Sequence, residues 1–299
     1  MDLKQYLQEK AALVNQELER LLPSDLYPPV IHEAMRYSIF AGGKRLRPIL
    51  CLAAAEAVGR GEEGNTLLPV ACALEMAHTY SLIHDDLPAM DNDDYRRGKL
   101  TNHMVFGEGL AILAGDALLT YAFEVLLRFA RKCPDQTRAL QVLEEIAVAL
   151  GTQGMIGGQV VDLESEGKSG LFNREELLSY IHTHKTGALF RAAIRAGAIL
   201  AGANDAEVAA LTEYAEQFGL AFQITDDLLD ITGDEKCLGK PVGSDVKNQK
   251  ITYPALYGLE ESRSLAKKTI EAAVWALTNL PGQTMPLELL VRSLEKRVS

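Results

Sequence analysis

The sequence predicts an all-α protein, and three observations support this. Apolar residues recur every three or four positions along most of the chain, as Leu7, Val14 and Leu18 do near the N-terminus. The sequence has no convincing run of alternating β-branched residues, which would predict a strand. Hydrophobic residues make up 47% of the 299 residues, which is enough to bury a large core. Because no linker rich in Gly, Ser or Pro divides the chain, we expect one all-α domain over residues 1–299.

Helices are predicted in order along the chain. The first covers Leu3–Leu21 and ends before Pro23. Two of the later helices begin with the spacing of a capping box, at Asn173–Glu176 and Asn204–Glu207. A loop as long as 232–250 is often functional in a compact domain, although a solvated connector is an equal alternative. The remaining predicted helices lie near residues 29–41, 46–59, 65–86, 103–130, 136–165, 174–203, 205–231, 252–280 and 285–297.

The charge of the chain argues against nucleic acid as a partner. Its net charge is -11 and its pI is near 5.1, whereas binding to a phosphate backbone needs a basic face. The same acidity would repel a diphosphate. An anionic ligand therefore needs metal ions or a local basic pocket in order to bind here.

The cysteines and the N-terminus predict a cytoplasmic protein. The four cysteines are scattered without a CxxC pair, which is typical of reduced thiols, and the first residues lack the apolar core of a signal peptide. Charged residues such as Asp116, Arg191 and Arg195 interrupt the long apolar runs. We therefore expect a soluble protein without stable membrane association.

Two aspartate-rich segments are the most informative feature: Asp85-Asp86-Leu-Pro-Ala-Met-Asp91 and Asp226-Asp227-Leu-Leu-Asp230. Carboxylates so close together repel each other and resist burial unless something positive neutralises them. Mg²⁺ takes oxygen ligands and often shares them with the phosphates of a substrate. Either segment alone is also compatible with a solvated acidic patch. Two such segments in apolar helices favour a metal site.

The spacing within each segment indicates how its carboxylates are arranged. Asp226 and Asp230 are i,i+4 neighbours on one helix face. Asp85 and Asp91 would point roughly 120° apart on an ideal helix. Pro88 lies between them and should end the helix, which would let Asp91 turn back toward Asp85.

Three basic sets complement the acids: Gly42-Gly43-Lys44-Arg45-Leu-Arg47-Pro48, Arg96-Arg97 and Lys185-Thr186-Gly187. Guanidinium pairs suit bidentate phosphate binding. Each set alone is more simply a charged surface. Together with the aspartates, they indicate a site for metals and more than one anionic group.

These motifs resemble the short-chain trans-isoprenyl diphosphate synthases. The resemblance covers roughly residues 35–258 and is strongest with the bacterial branch. The similar segments are Gly42–Pro48, His78–Asp91, Arg96–Gly98, Leu113–Asp116, Gly158-Gln159, Lys185-Thr186, Phe222-Gln223, Asp226–Asp230, Leu238–Lys240 and Thr252–Pro254.

The resemblance implies a fold and a metal cluster. The fold is an isoprenoid-synthase-type bundle of about ten or more helices around a central cavity. Asp85, Asp91 and Asp226 would hold three Mg²⁺ ions per active site. Asp86, Asp227 and Asp230 would be secondary ligands or act through water.

The resemblance also implies which residues bind two diphosphate substrates. Arg96, Lys185 and Lys240 would hold the allylic diphosphate, and Thr186 and Gln223 would lie near the carbocation. The second substrate, isopentenyl diphosphate, would be held by Lys44, Arg47, His78 and Arg97. His78 alone is more simply a core histidine. The allylic C–O bond would ionise, the alkene would attack and a proton would be lost, with no side-chain nucleophile.

Product length would be set one turn before the first motif, where Tyr80 and Ser81 precede Asp85. The bulky ring of Tyr80 would stop the growing chain at farnesyl diphosphate, although it is also compatible with ordinary core packing. A geranylgeranyl diphosphate synthase is the alternative with the same chemistry.

Two further kinds of protein share part of this pattern but differ in function. A catalytically silent subunit of a heteromeric synthase needs no aspartates, and a class I terpene cyclase needs only one diphosphate site. The resemblance implies a homodimer.

The resemblance is weak over residues 245–250, so the choice between Lys247 and Lys250 as a phosphate ligand stays open. It is also weak at the C-terminal tail.

Overall fold

The computed structural model describes residues 1–59, 66–165, 173–232 and 251–295, and it confirms the all-α prediction. The helices are α1 (Leu3–Leu21), α2 (Pro29–Ile39), α3 (Leu46–Ala57), α4 (Leu68–Asp85), α5 (Asn102–Phe106), α6 (Glu108–Ala130), α7 (Gln136–Leu150), α8 (Met155–Ser165), α9 (Arg174–Ile181), α10 (Ala188–Leu200), α11 (Asp205–Thr232), α12 (Tyr253–Tyr257), α13 (Leu259–Ala276) and α14 (Met285–Glu295). A π-helical turn, His182–Gly187, joins α9 to α10.

Several helices predicted as continuous are divided. Gly107 and Gly258 have positive φ angles of 84° and 80°, which end α5 and α12 and start the next helix after a sharp bend. A turn at 151–154 separates α7 from α8. Helical periodicity continues across such bends because the apolar residues on both sides face one core, so the sequence pattern did not reveal them.

The capping prediction at Asn204 is confirmed. Its side chain accepts a hydrogen bond from Glu207 N, and Glu207 accepts one from Asn204 N, both at 2.9 Å. Asn173 also caps its helix, but it accepts from Glu175 N at 3.2 Å.

A short hairpin follows the first acidic motif and was not predicted. Strands β1 (Tyr95–Arg96) and β2 (Lys99–Leu100) pair antiparallel around Arg97 and Gly98, which have φ angles of 54° and 74°. Two consecutive residues with positive φ are typical of the tight turns that join hairpin strands.

The chain divides into two compact units, and the division falls within α3. The N-terminal unit comprises Asp2–Ile49 and Asn65–Leu143. Its centre is the packing of α4 on α6, with α1 and α2 against α4. Asn102 ties α5 to α2 by donating to Ala34 O at 2.9 Å and Ser38 Oγ at 2.8 Å.

The C-terminal unit comprises Leu50–Gly64 and Glu144–Ser299, together with Met1. Its longest helix, α11, packs against α10, α13 and the π-helical turn. Phe190 of α10 contacts Phe218 and Phe222 of α11, with ring centroids 5.3 and 5.2 Å apart. Gly197 lets α10 approach α3, because a Cβ there would lie 1.9 Å from Cys51 O.

Two segments are long and apolar enough to span a membrane: α6 and residues 136–165. The charges of Asp116 and Glu124 do not exclude α6, so the expectation that charges interrupt the long apolar runs was wrong for this helix. Length and composition are weak grounds for a membrane span, since core helices of soluble proteins share them. Only 39% of the apolar window of α6 is buried, however, so much of its apolar surface is uncovered.

A buried ion pair anchors the glycine-rich loop before α3. Arg45 and Glu75 side chains are 3% and 2% exposed, and Arg45 Nη1 lies 2.9 Å from Glu75 Oε1. Arg45 also donates to Asn15 Oδ1 at 2.8 Å and to Ile39 O at 2.7 Å. Arg45 therefore has a structural role, although it lies in one of the predicted anion-binding sets.

We expect Arg45→Ala to lower the free energy of unfolding by about 3–5 kcal/mol, because it leaves the Glu75 carboxylate buried without its partner. Urea denaturation measures this loss. The control is Arg20→Ala, which breaks the exposed pair with Glu17 and should cost at most about 1 kcal/mol. Equal losses in the two variants would contradict the structural role of Arg45.

Candidate active site

The first acidic motif forms a turn at the C-terminus of α4. The helix ends at Asp85, and the chain then reverses so that Asp91 N donates to Asp85 O at 2.8 Å. Pro88 lies exposed within this turn. The predicted bend is therefore present, and it brings two residues that are six apart in sequence to one end of the helix. Both Asp85 and Asp91 remain partly exposed.

The middle aspartate of this motif has a different environment. Asp86 is 4% exposed and accepts a hydrogen bond from Arg96 Nε at 2.6 Å. Burial raises the pKa of Asp86, and the bond with Arg96 opposes that shift. This pair holds the hairpin against the end of α4. Asp86 is thus a partner of Arg96 in this structure, and its expected part as a secondary metal ligand stays a prediction.

The glycine-rich loop and the hairpin meet in the same unit. Gly42 and Gly43 have φ angles of 104° and 124°, and Arg97 Nη1 donates to Gly42 O. A Cβ on Gly43 would lie 2.5 Å from Arg97 Nη1, so the guanidinium would have to shift, and the φ angle of 124° itself favours glycine. The structure therefore brings Arg97 beside the loop that carries Lys44 and leads into α3.

His78 of α4 lies among the cations of this unit. Burial lowers the pKa of His78 well below its usual value, and the positive charges of Arg47, Arg97 and Arg96 lower it further. Burial also lowers the pKa of Arg47, to about 10. His78 is consequently neutral near pH 7, so it can bind an anion by one N–H donor but adds no charge.

The predicted chain-length residues lie on α4 in the turn before Asp85. Tyr80 is 5% exposed, and burial together with the Asp85 charge raises its pKa to about 12. Ser81 is partly buried and donates to His78 O at 2.8 Å, which satisfies its hydroxyl within the helix. Of the two, Tyr80 therefore has the bulkier and more deeply buried side chain.

The second acidic motif lies near the end of α11 in the C-terminal unit. Asp226 is partly exposed, whereas Asp230 is 1% exposed. Asp227 is buried, and its Oδ2 accepts a hydrogen bond from Tyr253 N at 2.9 Å. Asp227 thus fixes the start of α12, and its expected part as a secondary ligand stays a prediction.

Lys185 and Thr186 lie on the π-helical turn, which the sequence pattern did not predict. Single turns of π-helix widen a helix locally and are frequent at functional sites. Lys185 Nζ forms an ion pair with Asp162 Oδ2 at 2.6 Å, which joins the turn to α8. A Cβ on Gly158 would lie 2.2 Å from Lys185 N, so glycine allows this close contact.

Asp162 is the residue that sequence reasoning missed at this site. The segment Gly158-Gln159 was recognised, and Asp162 lies one helical turn after Gly158 on the same face of α8. The position of Asp162, four residues after a glycine that faces another helix, could have identified it from the sequence. Gln223 is partly buried on α11, which packs against the π-helical turn.

Some predicted residues lie outside the part of the chain that the structure describes. They are Lys240, Lys247 and Lys250. The same holds for the end of the C-terminal tail, residues 296–299.

The acidic residues fit Mg²⁺ as part of a shared coordination shell. Among the described residues, no three His, Cys, Asp or Glu side chains converge to form a complete metal site. Mg²⁺ usually takes one or two carboxylates and completes its shell with water and substrate phosphates. Asp85 and Asp91, with hard oxygen donors on one turn, are compatible with that arrangement.

Comparisons with known proteins give a consistent result. A sequence profile of the polyprenyl synthetase family matches residues 28–278. The chain is 49% identical over 286 residues to geranylgeranyl diphosphate synthase of Cyanophora paradoxa, covering 96% of this chain and 93% of that protein. It is 48% identical over 280 residues to farnesyl diphosphate synthase of Geobacillus stearothermophilus, covering 93% and 92%. A crystal structure of an FPP/GFPP synthase from Zymomonas mobilis is similar with a TM-score of 0.83 and 36% identity, over 99% of this chain and 98% of that one.

The π-helical turn also predicts a pH dependence of stability. His182 is 9% exposed, and its Nδ1 has no hydrogen-bond partner among the described residues. Burial lowers its pKa to about 4; Asp162 opposes this shift and Lys185 adds to it. The unfolded chain therefore binds a proton near pH 6.5 that the folded protein does not bind until about pH 4.

We expect protonation of His182 in the unfolded chain to lower the free energy of unfolding by about 2 kcal/mol as the pH falls from 7 to 5. His182→Gln should remove that part of the pH dependence. Urea denaturation of both proteins at pH 7 and pH 5 measures the difference. Identical losses in the two proteins would contradict the prediction.

Proposed function

Because the chain belongs to the polyprenyl synthetase family and is a prenyltransferase, we propose that it condenses isopentenyl diphosphate with dimethylallyl and geranyl diphosphates to give farnesyl diphosphate. The observation that carries this proposal is the turn of the first acidic motif, which places Asp85 and Asp91 together. Buried Tyr80 lies on the preceding helical turn and supports a product of limited length.

We propose that Asp85, Asp91 and Asp226 hold three Mg²⁺ ions together with the allylic diphosphate. When bound, Mg²⁺ would neutralise charge on the departing diphosphate. The chain's own cations orient that group. Arg96 and Lys185 are each positioned by a carboxylate. The carboxylate does not use all of their donors, because a guanidinium has five N–H donors and an ammonium has three. Their remaining donors can bind phosphate oxygens; Lys240 is proposed to contribute from outside the described residues.

Isopentenyl diphosphate would bind to Lys44, Arg47, His78 and Arg97 in the N-terminal unit. Three cations supply the charge, and neutral His78 supplies a directional donor. Thr186 and Gln223 would stabilise positive charge on the allylic carbon with the oxygen ends of their dipoles. The departing pyrophosphate accepts the final proton, so no side chain need act as a base.

The farnesyl product is the finer part of this proposal. Relatives with nearly equal identity are named for farnesyl and for geranylgeranyl products, so their names favour neither. The buried ring of Tyr80 favours the shorter one. A silent subunit of a heteromeric synthase is disfavoured because both aspartate motifs are complete.

The decisive assay incubates the protein with labelled isopentenyl diphosphate and each allylic primer, with Mg²⁺ or with EDTA, and separates the dephosphorylated products by chromatography. We expect farnesol in Mg²⁺ and no condensation in EDTA. Geranylgeraniol as the main product would replace the farnesyl assignment, and no condensation with any primer would refute catalysis by this chain alone.

We expect Asp85→Asn to lower kcat by about 10²-fold or more, because it removes the carboxylate charge that would bind Mg²⁺. The fold should persist, since the change relieves repulsion between carboxylates. Asp25→Asn, on an exposed loop of the same unit, is the matched control and should keep wild-type kcat. An unchanged kcat in Asp85→Asn would refute the proposed role of Asp85.

We also propose a cytoplasmic homodimer without stable membrane association. Ile112, Leu113 and Leu127 on α6 are 44%, 56% and 50% exposed, and an apolar helix surface of this kind needs a cover in water. A second copy of the chain can cover it.

Size-exclusion chromatography with light scattering tests the homodimer. We expect wild type to have twice the chain mass of 32.7 kDa and Leu113→Glu to move toward the monomer mass. Trp275→Glu, at an exposed apolar position of α13, is the control. A monomeric wild type, or one that pellets with liposomes, would refute the proposal.

A further inference from the structure

His84 of α4 lies between Tyr80 and helix α6 in the N-terminal unit. It is the i+4 neighbour of Tyr80, so both side chains lie on one face of α4. Their ring centroids are 5.7 Å apart with an interplanar angle of 85°, an edge-to-face contact. His84 therefore restricts the positions that the ring of Tyr80 can take.

The other side of the His84 ring contacts the backbone of α6. Nε2 lies 3.1 Å from Ile112 O. A carbonyl oxygen only accepts hydrogen bonds, so Nε2 carries the proton in this contact. The Asp116 carboxylate lies farther away, 3.8 Å from Nε2. The imidazole is thus oriented by α6 itself.

Gly115 makes this arrangement possible. A Cβ at that position would lie 2.2 Å from His84 Nε2 and 2.5 Å from its Cδ2. A side chain there would force the imidazole to shift, and the shift would alter its edge-to-face contact with Tyr80.

We propose that His84 is a positioning residue for product length, and that it holds the ring of Tyr80 in place by bridging it to α6 at Gly115. The inference rests on the proposed function and on Tyr80 as the residue that stops chain growth. It extends the determinant of product length from one side chain to a contact between two helices. His84 has no part in the proposed chemistry.

The test compares product distributions of His84→Ala, Tyr80→Ala and the double variant at equal substrate consumption. We expect His84→Ala to raise the ratio of longer products to the wild-type main product about two- to tenfold, the shift that loss of one edge-to-face ring contact permits. His84→Phe keeps a ring beside Tyr80 and should keep the wild-type ratio. If His84 acts through Tyr80, the double variant should match Tyr80→Ala.

Two glycines of α6 provide a matched pair of substitutions. Gly115→Ala places a methyl group against His84 and should change the product ratio. Gly109→Ala places the same group in open space on the same helix and should leave it unchanged. This pair also tests the inference if His84→Ala fails to fold.

The outcomes separate the inference from the proposed function. If wild type does not condense the substrates, the proposed function fails. If wild type condenses them and the product ratio is unchanged in both His84→Ala and Gly115→Ala, the inference alone is overturned. Additive effects of His84→Ala and Tyr80→Ala would overturn the claim that His84 acts through Tyr80.

Discussion

The negative charge of the two acidic motifs is the constraint on which the structure around each motif depends. A buried carboxylate is costly unless hydrogen bonds or opposite charges compensate it. Asp86 meets this requirement with Arg96, and Asp227 meets it with Tyr253 N–H. In each motif the compensated aspartate ties the motif to a later segment of its own unit.

This arrangement separates two tasks within each motif. The buried aspartates hold structure, whereas Asp85, Asp91 and Asp226 stay partly exposed and are the better candidates for metal ligands. It also explains why the chain retains so many neighbouring carboxylates. Arg96 and Tyr253 N–H compensate some of them, and the proposed Mg²⁺ ions would compensate the others.

Glycines place the functional side chains as strictly as the charges do. Gly43 admits the guanidinium of Arg97, Gly115 admits the imidazole of His84, and Gly158 admits the backbone of Lys185. A Cβ at any of these positions would lie 2.5 Å or less from the nearest neighbouring atom. In each case a side chain or segment near the candidate site lies against a second element, so its position depends on helix packing as well as on its own helix.

The sequence by itself determined the helical class, both acidic motifs and the bend at Pro88, because helical periodicity, charge and proline geometry are local properties. Tertiary structure alone decided that Arg45 is a buried structural cation, that Asp162 pairs with Lys185, and that a π-helical turn carries Lys185. These depend on which elements approach one another. Contacts between residues distant in sequence leave no periodic signal, and the energy of a buried pair depends on surroundings that only the folded chain creates.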